Sequence, residues 1–241
     1  MVFVEKVEGY YIMAKIAIIT ARGGSKRIPG KNIKEFLGKP IIAYSIEAAL
    51  QSGLFEEVMV STDSEEIAKI SIVYGAKVPF MRSDKNSDDY ATTANVIKEV
   101  LSEYGKIQRT FEWLCCIYPT APFVTAQKLN EAMCKIKSKN ANGLIPVVKF
   151  SYPPQRAFII DEQGDLQYKY PENINKRSQD LQAFYHDAGQ FYFARVDKFL
   201  EFENLVFDGC ISTILNELEV QDIDSTDDWK LAEVKYKLIS N

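Results

Sequence analysis

The segment from residue 15 to residue 32 constrains the fold of this 241-residue chain more than any other. It begins with a continuous apolar run at residues 16–19, which is typical of a strand buried on both faces of a parallel sheet. The run passes directly into a loop that is rich in glycine and in positive charge. The cationic residues of the loop are Arg22, Lys26, Arg27 and Lys31, and its glycines are Gly23, Gly24 and Gly30.

The composition of this loop predicts that it binds phosphate groups. Glycine lets backbone N–H groups approach a ligand closely, and the cations would neutralise a triphosphate. The loop is not a Walker loop, because Gly30-Lys31 is followed by Asn32 and not by Ser or Thr, and it lacks the G-x-G-x-x-G sequence of dinucleotide folds. A solvated basic loop without a ligand is the alternative. Its position directly after a buried first strand favours a binding site.

The overall composition argues against several classes of partner. The formal net charge of −4 argues against general nucleic-acid binding, so the basic loop is a local feature. No apolar run reaches the roughly 20 residues that span a bilayer, and residues 1–14 lack the continuous apolar segment of a signal peptide. The four cysteines lack metal-ligand spacing, which favours core packing in a reducing compartment. We therefore expect a cytoplasmic protein with neither a membrane nor a nucleic acid as a partner.

Predicted strands and helices alternate along most of the chain. This alternation predicts an α/β fold with a mostly parallel, Rossmann-like sheet that is flanked by helices and binds ligands at the carboxyl ends of its strands. The alternation breaks at residues 151–182, where a turn at residues 162–165 between two apolar runs predicts a hairpin. That insertion is too small to be a domain, so we expect it to pack on a second subunit. We divide the chain into an N-terminal extension, residues 1–14, and one domain, residues 15–241, that carries this insertion.

Further local expectations concern segments close to the predicted site. Asp63 is predicted to cap the helix that ends at Gly75, and residues 77–80 are predicted to form a strand. Residues 219–224 are predicted to end another strand. The final helix, capped by Ser225, is predicted to bury an apolar face formed by Leu231, Val234 and Leu238.

Two polar clusters follow predicted strands in the first half of the chain. One contains Arg82, Asp89 and Thr93, a mixture of donors and acceptors that could read a base or a ribose, although helix capping would explain it equally well. The other is the sequence Tyr118-Pro-Thr-Ala-Pro122, whose prolines stiffen the exit from a strand. Considered alone, a rigid turn without a ligand explains this second cluster.

An acidic pair, Asp222 and Asp224, follows near the end of the chain. In an extended segment these two residues share a face while Ile223 points to the core. Two carboxylates on one face repel each other unless a cation lies between them, and Mg²⁺ suits a few carboxylates together with substrate phosphates. The alternative is a solvent-facing pair at a helix N-terminus, where the helix dipole favours acids. A triphosphate loop in the same chain favours the metal site.

His186 is the only histidine of the chain. Its side chain is a candidate general base, because the pKa of histidine lies near neutrality. Histidines that only donate or accept a hydrogen bond are more common. Both roles stay open at this point.

Together these motifs resemble the acylneuraminate cytidylyltransferase family, the CMP-sialic acid synthetases. The resemblance runs from about residue 15 to the end of the chain. Within the family, the chain is most similar to members that act on pseudaminic acid. The motifs are A-R-G-G-S-K-x-x-P-x-K-N at Ala21–Asn32, the segment with Arg82 and Asp89, P-T-x-P at Pro119–Pro122, R-x-Q-D at Arg177–Asp180, H-D-A-G-Q-F-Y at His186–Tyr192 and the late D-x-D.

The resemblance implies transfer of CMP from CTP to the anomeric hydroxyl of pseudaminic acid, a nine-carbon 2-keto acid sugar, with release of pyrophosphate. It implies a Rossmann-like nucleotidyltransferase fold, a bound Mg²⁺ ion, and a homodimer in which residues 151–182 form a β-rich dimerisation arm. The catalytic residues would be Arg22, Lys31, Asp222 and Asp224, of which the two aspartates would hold the metal. The nucleotide-binding residues would be Ala21, Arg22, Gly23, Gly24, Ser25, Lys26, Lys31, Asn32, Arg82, Asp89 and Thr93. The sugar-binding residues would be Tyr118, Arg177, Gln179, Tyr185, His186, Asp187, Gln190 and Phe191.

Other functions remain as alternatives. The nearest is the same transfer to legionaminic acid, sialic acid or the eight-carbon acid KDO, and the next is nucleotidyl transfer to an ordinary sugar phosphate. Asn32 weighs against KDO. An NAD-dependent oxidoreductase and a non-catalytic nucleotide-binding module are the alternatives of a different class, and the missing G-x-G-x-x-G sequence weighs against the first of them.

Overall fold

The apolar run after residue 15 forms an inner strand of a seven-stranded sheet in the computed structural model, which describes residues 6–7, 10–11 and 14–240. The strands are β1 (Lys6–Val7), β2 (Tyr10–Tyr11), β3 (Lys15–Thr20), β4 (Glu35–Phe36), β5 (Lys39–Pro40), β6 (Glu57–Ser61), β7 (Trp113–Ile117), β8 (Gly143–Lys149), β9 (Phe158–Ile160), β10 (Leu166–Tyr168), β11 (Tyr185–Asp187), β12 (Phe191–Arg195) and β13 (Cys210–Ile214). The helices are α1 (Ile41–Gln51), α2 (Glu65–Val73), α3 (Thr93–Lys106), α4 (Ala126–Lys139), α5 (Val196–Phe202) and α6 (Thr226–Ile239).

The main sheet has the strand order β6-β3-β7-β12-β8, and β8 pairs further with β13 and β11. Strands β6, β3 and β7 are parallel to one another, as are β8 and β13. Strand β12 runs antiparallel to both β7 and β8, and places Phe191 opposite Ile117 at the end of β7. The predicted α/β fold with a mostly parallel sheet is therefore confirmed, with β12 antiparallel at its centre and β11 antiparallel to β8.

Helices cover both faces of this sheet. Successive side chains of β3 point to opposite faces, so that Ile19 packs with α1 and α4 while Ile18 packs with α3 and α5. All four residues at positions 16–19 are inaccessible to solvent. A strand buried on both sides needs apolar residues at every position, which explains the continuous apolar run in the sequence.

Helix α6 packs through a different face from the one that the sequence predicts. Ser225 and Asp228 form a capping box at its start, as expected. The buried face carries Trp229, which meets the ring of Phe36 at 5.6 Å. The three residues of the predicted apolar face, Leu231, Val234 and Leu238, are 45%, 54% and 62% exposed, so that prediction is wrong. The helix is oriented by its aromatic contacts and not by its aliphatic residues.

Three other local predictions are also wrong. The side chain of Ser64, and not that of Asp63, caps α2. Residues 77–80 form no strand. Lys77 makes a single bridge to Met59, and the chain then leaves the sheet. Residues 219–224 form no strand either, since Glu219 ends a short 3₁₀ turn at Glu217–Glu219 and residues 220–224 are irregular.

The predicted insertion lies between β8 and β11, and β9 pairs with β10 as the expected hairpin. All three residues of β9 are exposed, and the ring of Phe158 packs against that of Tyr168 in β10 at 4.4 Å. The expected N-terminal extension lies outside the described residues except for β1, β2 and Ala14, and Ala14 packs against the core of the domain. No helix among the described residues is long and apolar enough to cross a bilayer.

Candidate active site

A cleft of about 570 Å³ opens at the carboxyl ends of β3 and β7. The loop after β3 lines this cleft together with the acidic segment that precedes α6. The cleft therefore lies where ligands bind in open α/β sheets. The predicted site residues that line it are Arg22, Ser25, Lys26, Lys31, Asn32, Arg82, Asp89, Thr93, Tyr118, Asp222 and Asp224.

Two backbone amides of the loop donate hydrogen bonds within the protein. Gly23 donates its N–H to Oδ1 of Asp63 at 2.8 Å, and the N–H of Ser25 donates to the carbonyl of Gly23 at 2.9 Å. A Cβ on Gly23 would lie 3.2 Å from the Cβ of Ser64, a tight contact, so glycine suits the close approach of the loop to the start of α2. Ala21 is fully buried. The N–H groups of Gly23 and Ser25 thus have partners within the chain in this structure, and the binding of a triphosphate by the loop amides stays a prediction.

Two features fix the conformation of the loop. Asn32 is 5% exposed, and its side-chain amide donates to the carbonyl of Arg22 at 2.8 Å, which ties the end of the loop to its beginning. Gly30 adopts a left-handed conformation with φ of 62°, which favours glycine, and directs the chain into a 3₁₀ turn that carries Lys31. Lys31 thereby faces the acidic segment.

The outer cations of the loop are paired with acids in this structure. Arg22 donates from Nη1 to Oδ1 of Asp89 at 2.7 Å and to the carbonyl of Asp88 at 3.1 Å. Lys26 also pairs with Asp89. Hydrogen bonds from Lys26 and Arg22 hold the pKa of Asp89 below its usual value. In this structure the Asp89 carboxylate therefore pairs with the two cations that a bound polyanion would need.

The acidic segment is attached to the same loop. Lys31 donates from Nζ to the carbonyl of Ile223 at 2.6 Å, a contact between residues 192 positions apart. Asp224 lies 2.8 Å from Arg27 and 3.5 Å from Lys31 through Oδ1. Ile223 is fully buried, as the sequence predicts, and it anchors the two flanking aspartates. Burial, followed by the negative charge of Asp224, raises the pKa of Asp222.

The acidic pair suits a divalent ion that brings further ligands. Asp222 and Asp224 both line the cleft, and the pKa of Asp222 is raised first by burial and then by the negative charge of Asp224. No group of three or more His, Cys, Asp or Glu side chains among the described residues could hold a metal. Two carboxylates are what Mg²⁺ takes from a protein when phosphate oxygens and water complete its coordination.

Arg82 is a buried cation of the cleft. It is 8% exposed, and donates from Nε to the hydroxyl of Ser61 at 3.0 Å and from Nη2 to the carbonyl of Ser61 at 2.5 Å. Burial lowers its pKa. The end of β6 thus holds the guanidinium in one orientation, whereas a surface arginine without these contacts would be flexible.

Tyr118 connects the cleft with β11 and β12. Its ring lies 5.4 Å from that of Tyr192, and the Tyr192 hydroxyl donates to Oδ2 of Asp187 at 2.8 Å. Asp187 also accepts from the N–H of Gly189 at 2.8 Å. The sequence analysis missed Tyr192, because a residue in an apolar strand reads as core.

The other predicted sugar-binding residues do not line the cleft of a single chain. Phe191 is fully buried in the core, and Gln190 is 2% exposed and donates to the carbonyl of Glu219. Arg177 forms an exposed ion pair with Asp180, and Gln179 lies beside it in the insertion. Gln190 and Phe191 thus lie at the start of β12, whereas Arg177 and Gln179 lie in the insertion.

Tyr185 and His186 lie on the exposed strand β11. The ring of His186 is 4.9 Å from that of Phe150, and its Nδ1 lies 2.9 Å from the carbonyl of Asp187. Since His186 does not line the cleft of its own chain, the geometry gives no support to its role as a general base there.

A family model described as Cytidylyltransferase matches residues 16–221. The chain belongs to the cytidylyltransferase family. This family uses CTP, and membership in it decides against the NAD-dependent oxidoreductase and the non-catalytic module.

Several curated proteins are similar to this cytidylyltransferase over nearly its whole length. Pseudaminic acid cytidylyltransferase of Campylobacter jejuni is 42% identical over 94% of this chain and 97% of the relative. CMP-N,N'-diacetyllegionaminic acid synthase of Legionella pneumophila is 34% identical over 92% of this chain and 95% of the relative.

Solved structures of other nucleotidyltransferases share the fold. A CMP:2-keto-3-deoxy-manno-octonic acid synthetase complexed with CTP aligns with a TM-score of 0.66 and 16% identity, covering 94% of this chain and 99% of that one. A 4-diphosphocytidyl-2C-methyl-D-erythritol synthase from Anaerococcus prevotii aligns with a TM-score of 0.62 and 14% identity, covering 93% of this chain and 99% of that one. At such identities the likeness concerns the fold of the cytidylyltransferase alone.

Proposed function

We propose that this cytidylyltransferase transfers CMP from CTP to the anomeric hydroxyl of pseudaminic acid and releases pyrophosphate. The observation that carries the proposal is the contact of Lys31 with the carbonyl of Ile223 at 2.6 Å, which joins the cationic loop to the acidic pair in one cleft. The identity of the sugar is supported by the 42% identity with a pseudaminic acid cytidylyltransferase. The sugar oxygen would attack the α-phosphorus of CTP, and pyrophosphate would leave.

The cationic residues would hold the triphosphate during this displacement. Negative charge accumulates on the phosphate oxygens as the sugar oxygen attacks, so catalysis rests mainly on positioning and on fixed positive charge. Arg22, Lys26 and Lys31 line the cleft and would supply that charge. The incoming phosphates would displace Asp89 from Arg22 and Lys26, because the phosphate oxygens and the Asp89 carboxylate compete for the same donors.

Asp222 and Asp224 would hold Mg²⁺. When bound, the ion supplies charge neutralisation at the phosphate oxygens. Lys31 stands beside Asp224 and would keep the acidic segment close to the phosphates when Asp224 turns from its ion pairs towards a cation.

Other residues of the cleft would contact the nucleoside and the sugar. Arg82 and Thr93 lie in the same cleft as the cationic loop and would contact the nucleoside, and Asn32 would support them by fixing the loop. Tyr118 would contact the sugar, with Asp187 acting on it through Tyr192. The buried side chain of Phe191 is not included in this proposed sugar site.

We further propose that the working enzyme is a homodimer. All of β9 is exposed, and Ile160 and Leu166 are 71% and 62% exposed on the hairpin. Exposed aliphatic residues at this density mark an interaction surface. A second copy that covers the hairpin would bring Arg177 and Gln179 of one chain towards the cleft of the other.

A pyrophosphate-release assay tests the proposed function. The purified protein is supplied with CTP, Mg²⁺ and one of four acids: pseudaminic, legionaminic, N-acetylneuraminic or 2-keto-3-deoxy-manno-octonic acid. We expect pyrophosphate and a CMP-sugar with pseudaminic acid, and at least tenfold lower kcat/KM with the others. Faster turnover of another acid would replace the proposed substrate, and no pyrophosphate with any acid would overturn the proposal.

A further inference from the structure

The segment that carries the acidic pair, residues 217–224, is held by side chains and not by a neighbouring strand. After the 3₁₀ turn at Glu217–Glu219 it forms no part of a sheet or helix. Backbone carbonyls that have no strand partner need other donors when they are enclosed. The position of Asp222 therefore depends on which side chains supply those donors.

Lys235 supplies two of them from the third turn of α6. Its Nζ donates to the carbonyl of Val220 at 2.8 Å and to that of Glu217 at 3.1 Å. These bonds connect both ends of the 3₁₀ turn to one ammonium group. Burial lowers the pKa of Lys235, which agrees with an ammonium that is partly removed from water.

Two further contacts surround the same turn. The side-chain amide of Gln190 donates to the carbonyl of Glu219 at 2.6 Å, and Lys128 lies 3.1 Å from the Glu219 carboxylate. Gln190 is the residue before β12, and its own carbonyl accepts the N–H of Tyr118 at 2.9 Å. The turn is thus tied to the sheet on one side and to α6 on the other.

We propose that Lys235 is a positioning residue that fixes the turn at residues 217–220 and, through it, the place of Asp222 in the cleft. This inference rests on the proposed function of the acidic pair. Lys235 does not line the cleft and does not touch a substrate. The nearer of its two bonds ends at Val220, two residues before Asp222, so loss of both would let the acid move while its other anchor, Ile223, stays in the core.

The experiment compares three variants at position 235 with a control on the same helix. Lys235→Met removes the donors and keeps the length, Lys235→Arg keeps donors and charge, and Lys235→Gln is a second neutral variant should the methionine variant not fold. Lys237→Met is the control, because Lys237 is exposed on α6. The readouts are hydrogen exchange of residues 217–224, kcat per folded molecule, and the Mg²⁺ concentration that gives half-maximal activity.

We expect Lys235→Met to speed hydrogen exchange in residues 217–224, to lower kcat roughly 10- to 100-fold, and to raise the Mg²⁺ requirement, because misplacement by an ångström costs rates of that order. Lys235→Arg and Lys237→Met should stay within about threefold of the wild type. Unchanged exchange and kcat in Lys235→Met would overturn the inference, as would a loss of activity that only follows the unfolded fraction. Exchange also separates this inference from the proposed function, since it is measurable in a protein that releases no pyrophosphate.

Discussion

Asp89 lies 2.7 Å from Nη1 of Arg22, so that a carboxylate of the chain stands where we place the triphosphate. The same carboxylate pairs with Lys26. All three side chains are exposed enough for a ligand to exchange with the acid: the Arg22, Lys26 and Asp89 side chains are 38%, 78% and 44% exposed. CTP and Asp89 would therefore compete for the loop.

This competition predicts the effect of Asp89→Asn. The neutral amide would leave Arg22 and Lys26 without their acid, and we expect the KM for CTP to fall about two- to fivefold, the range of an exposed ion pair. Steady-state kinetics with varied CTP would measure it. Asp84→Asn, on the same segment with an exposed side chain, is the matched control. A higher KM for CTP in Asp89→Asn would instead assign Asp89 a direct contact with the nucleotide.

Lys31→Ala is expected to be the most damaging single change in the loop. It would remove the proposed phosphate contact and also the bond to the carbonyl of Ile223. Charge-assisted hydrogen bonds contribute about 1.5–3 kcal/mol each, so kcat/KM should fall at least roughly 100-fold. Arg27→Ala is the comparison, because Arg27 also pairs with Asp224 but is 70% exposed. Its loss should be below about tenfold. An equal loss of kcat/KM in the two variants would contradict the proposal that Lys31 contributes more to the site than Arg27.

The two acids are expected to differ in their effect on stability while sharing their effect on activity. Asp222→Asn and Asp224→Asn should each lower kcat at least about 100-fold at saturating Mg²⁺. Burial and the charge of Asp224 raise the pKa of Asp222, so Asp222→Asn relieves a repulsion and should leave the Tm unchanged or higher. Asp224→Asn breaks ion pairs with Arg27 and Lys31 and should not raise the Tm. Full activity of either variant would remove the metal assignment.

Glu57 is expected to make the stability of the protein depend on pH. Its side chain is 1% exposed and accepts from Lys77 at 3.0 Å, Arg109 at 2.8 Å and the Tyr104 hydroxyl at 2.9 Å. Burial alone would raise its pKa, but the hydrogen bonds from Arg109, Lys77 and Tyr104 outweigh it and lower the pKa below 4.5. The stabilisation is therefore complete above the unfolded-state value and is lost as the pH falls through the lower pKa of the folded protein.

Glu57→Gln tests this dependence. At pH 7 we expect the free energy of unfolding to fall by about 1–3 kcal/mol, because the hydrogen bonds that Lys77 and Arg109 donate to the enclosed Glu57 carboxylate would lose their charge assistance. The difference from the wild type should shrink as the pH is lowered below 4.5. Urea denaturation at several pH values measures both quantities, and Glu56→Gln, an exposed neighbour, is the control. A difference that does not change with pH would contradict the role of the Glu57 charge.

The exposed hairpin predicts a change of assembly in Ile160→Asp. A charge on an aliphatic residue that is 71% exposed in one chain should not unfold the chain, but it should prevent burial against a second copy. We expect the wild type to sediment as a dimer and this variant as a monomer. Ile72→Asp, at another exposed isoleucine, should remain a dimer. A wild type that is monomeric at micromolar concentration would overturn the proposed homodimer.

The sequence predicts those features that depend on local pattern. The buried strand at residues 16–19, the cap at Ser225 and the inward position of Ile223 each follow from periodicity or from one side chain and its neighbours. The resemblance to cytidylyltransferases further predicts that the loop binds the nucleotide, since the motif of the loop is specific to that family.

The remaining features depend on contacts between distant segments. The sequence shows Asp63 as a possible cap, but only the packing of α2 against the loop makes it the acceptor of the Gly23 N–H. Leu231 belongs to an amphipathic pattern, yet the aromatic contact of Trp229 with Phe36 decides how α6 lies on the domain. Gln190 and Lys235 act on carbonyl groups of another segment, and a backbone acceptor leaves no mark on the sequence.

The bond between Lys31 and the carbonyl of Ile223 has a consequence for the timing of synthesis, because 192 positions separate its partners. A ribosome completes the amino-terminal strand and its loop long before it translates the acids, at rates of roughly 5–20 residues per second. The emerging polypeptide can thus build most of its sheet while its reaction centre is still unfinished. A nascent chain that is truncated before residue 222 would carry the loop that we propose binds the nucleotide. It would lack both aspartates of the proposed metal site and could not transfer CMP.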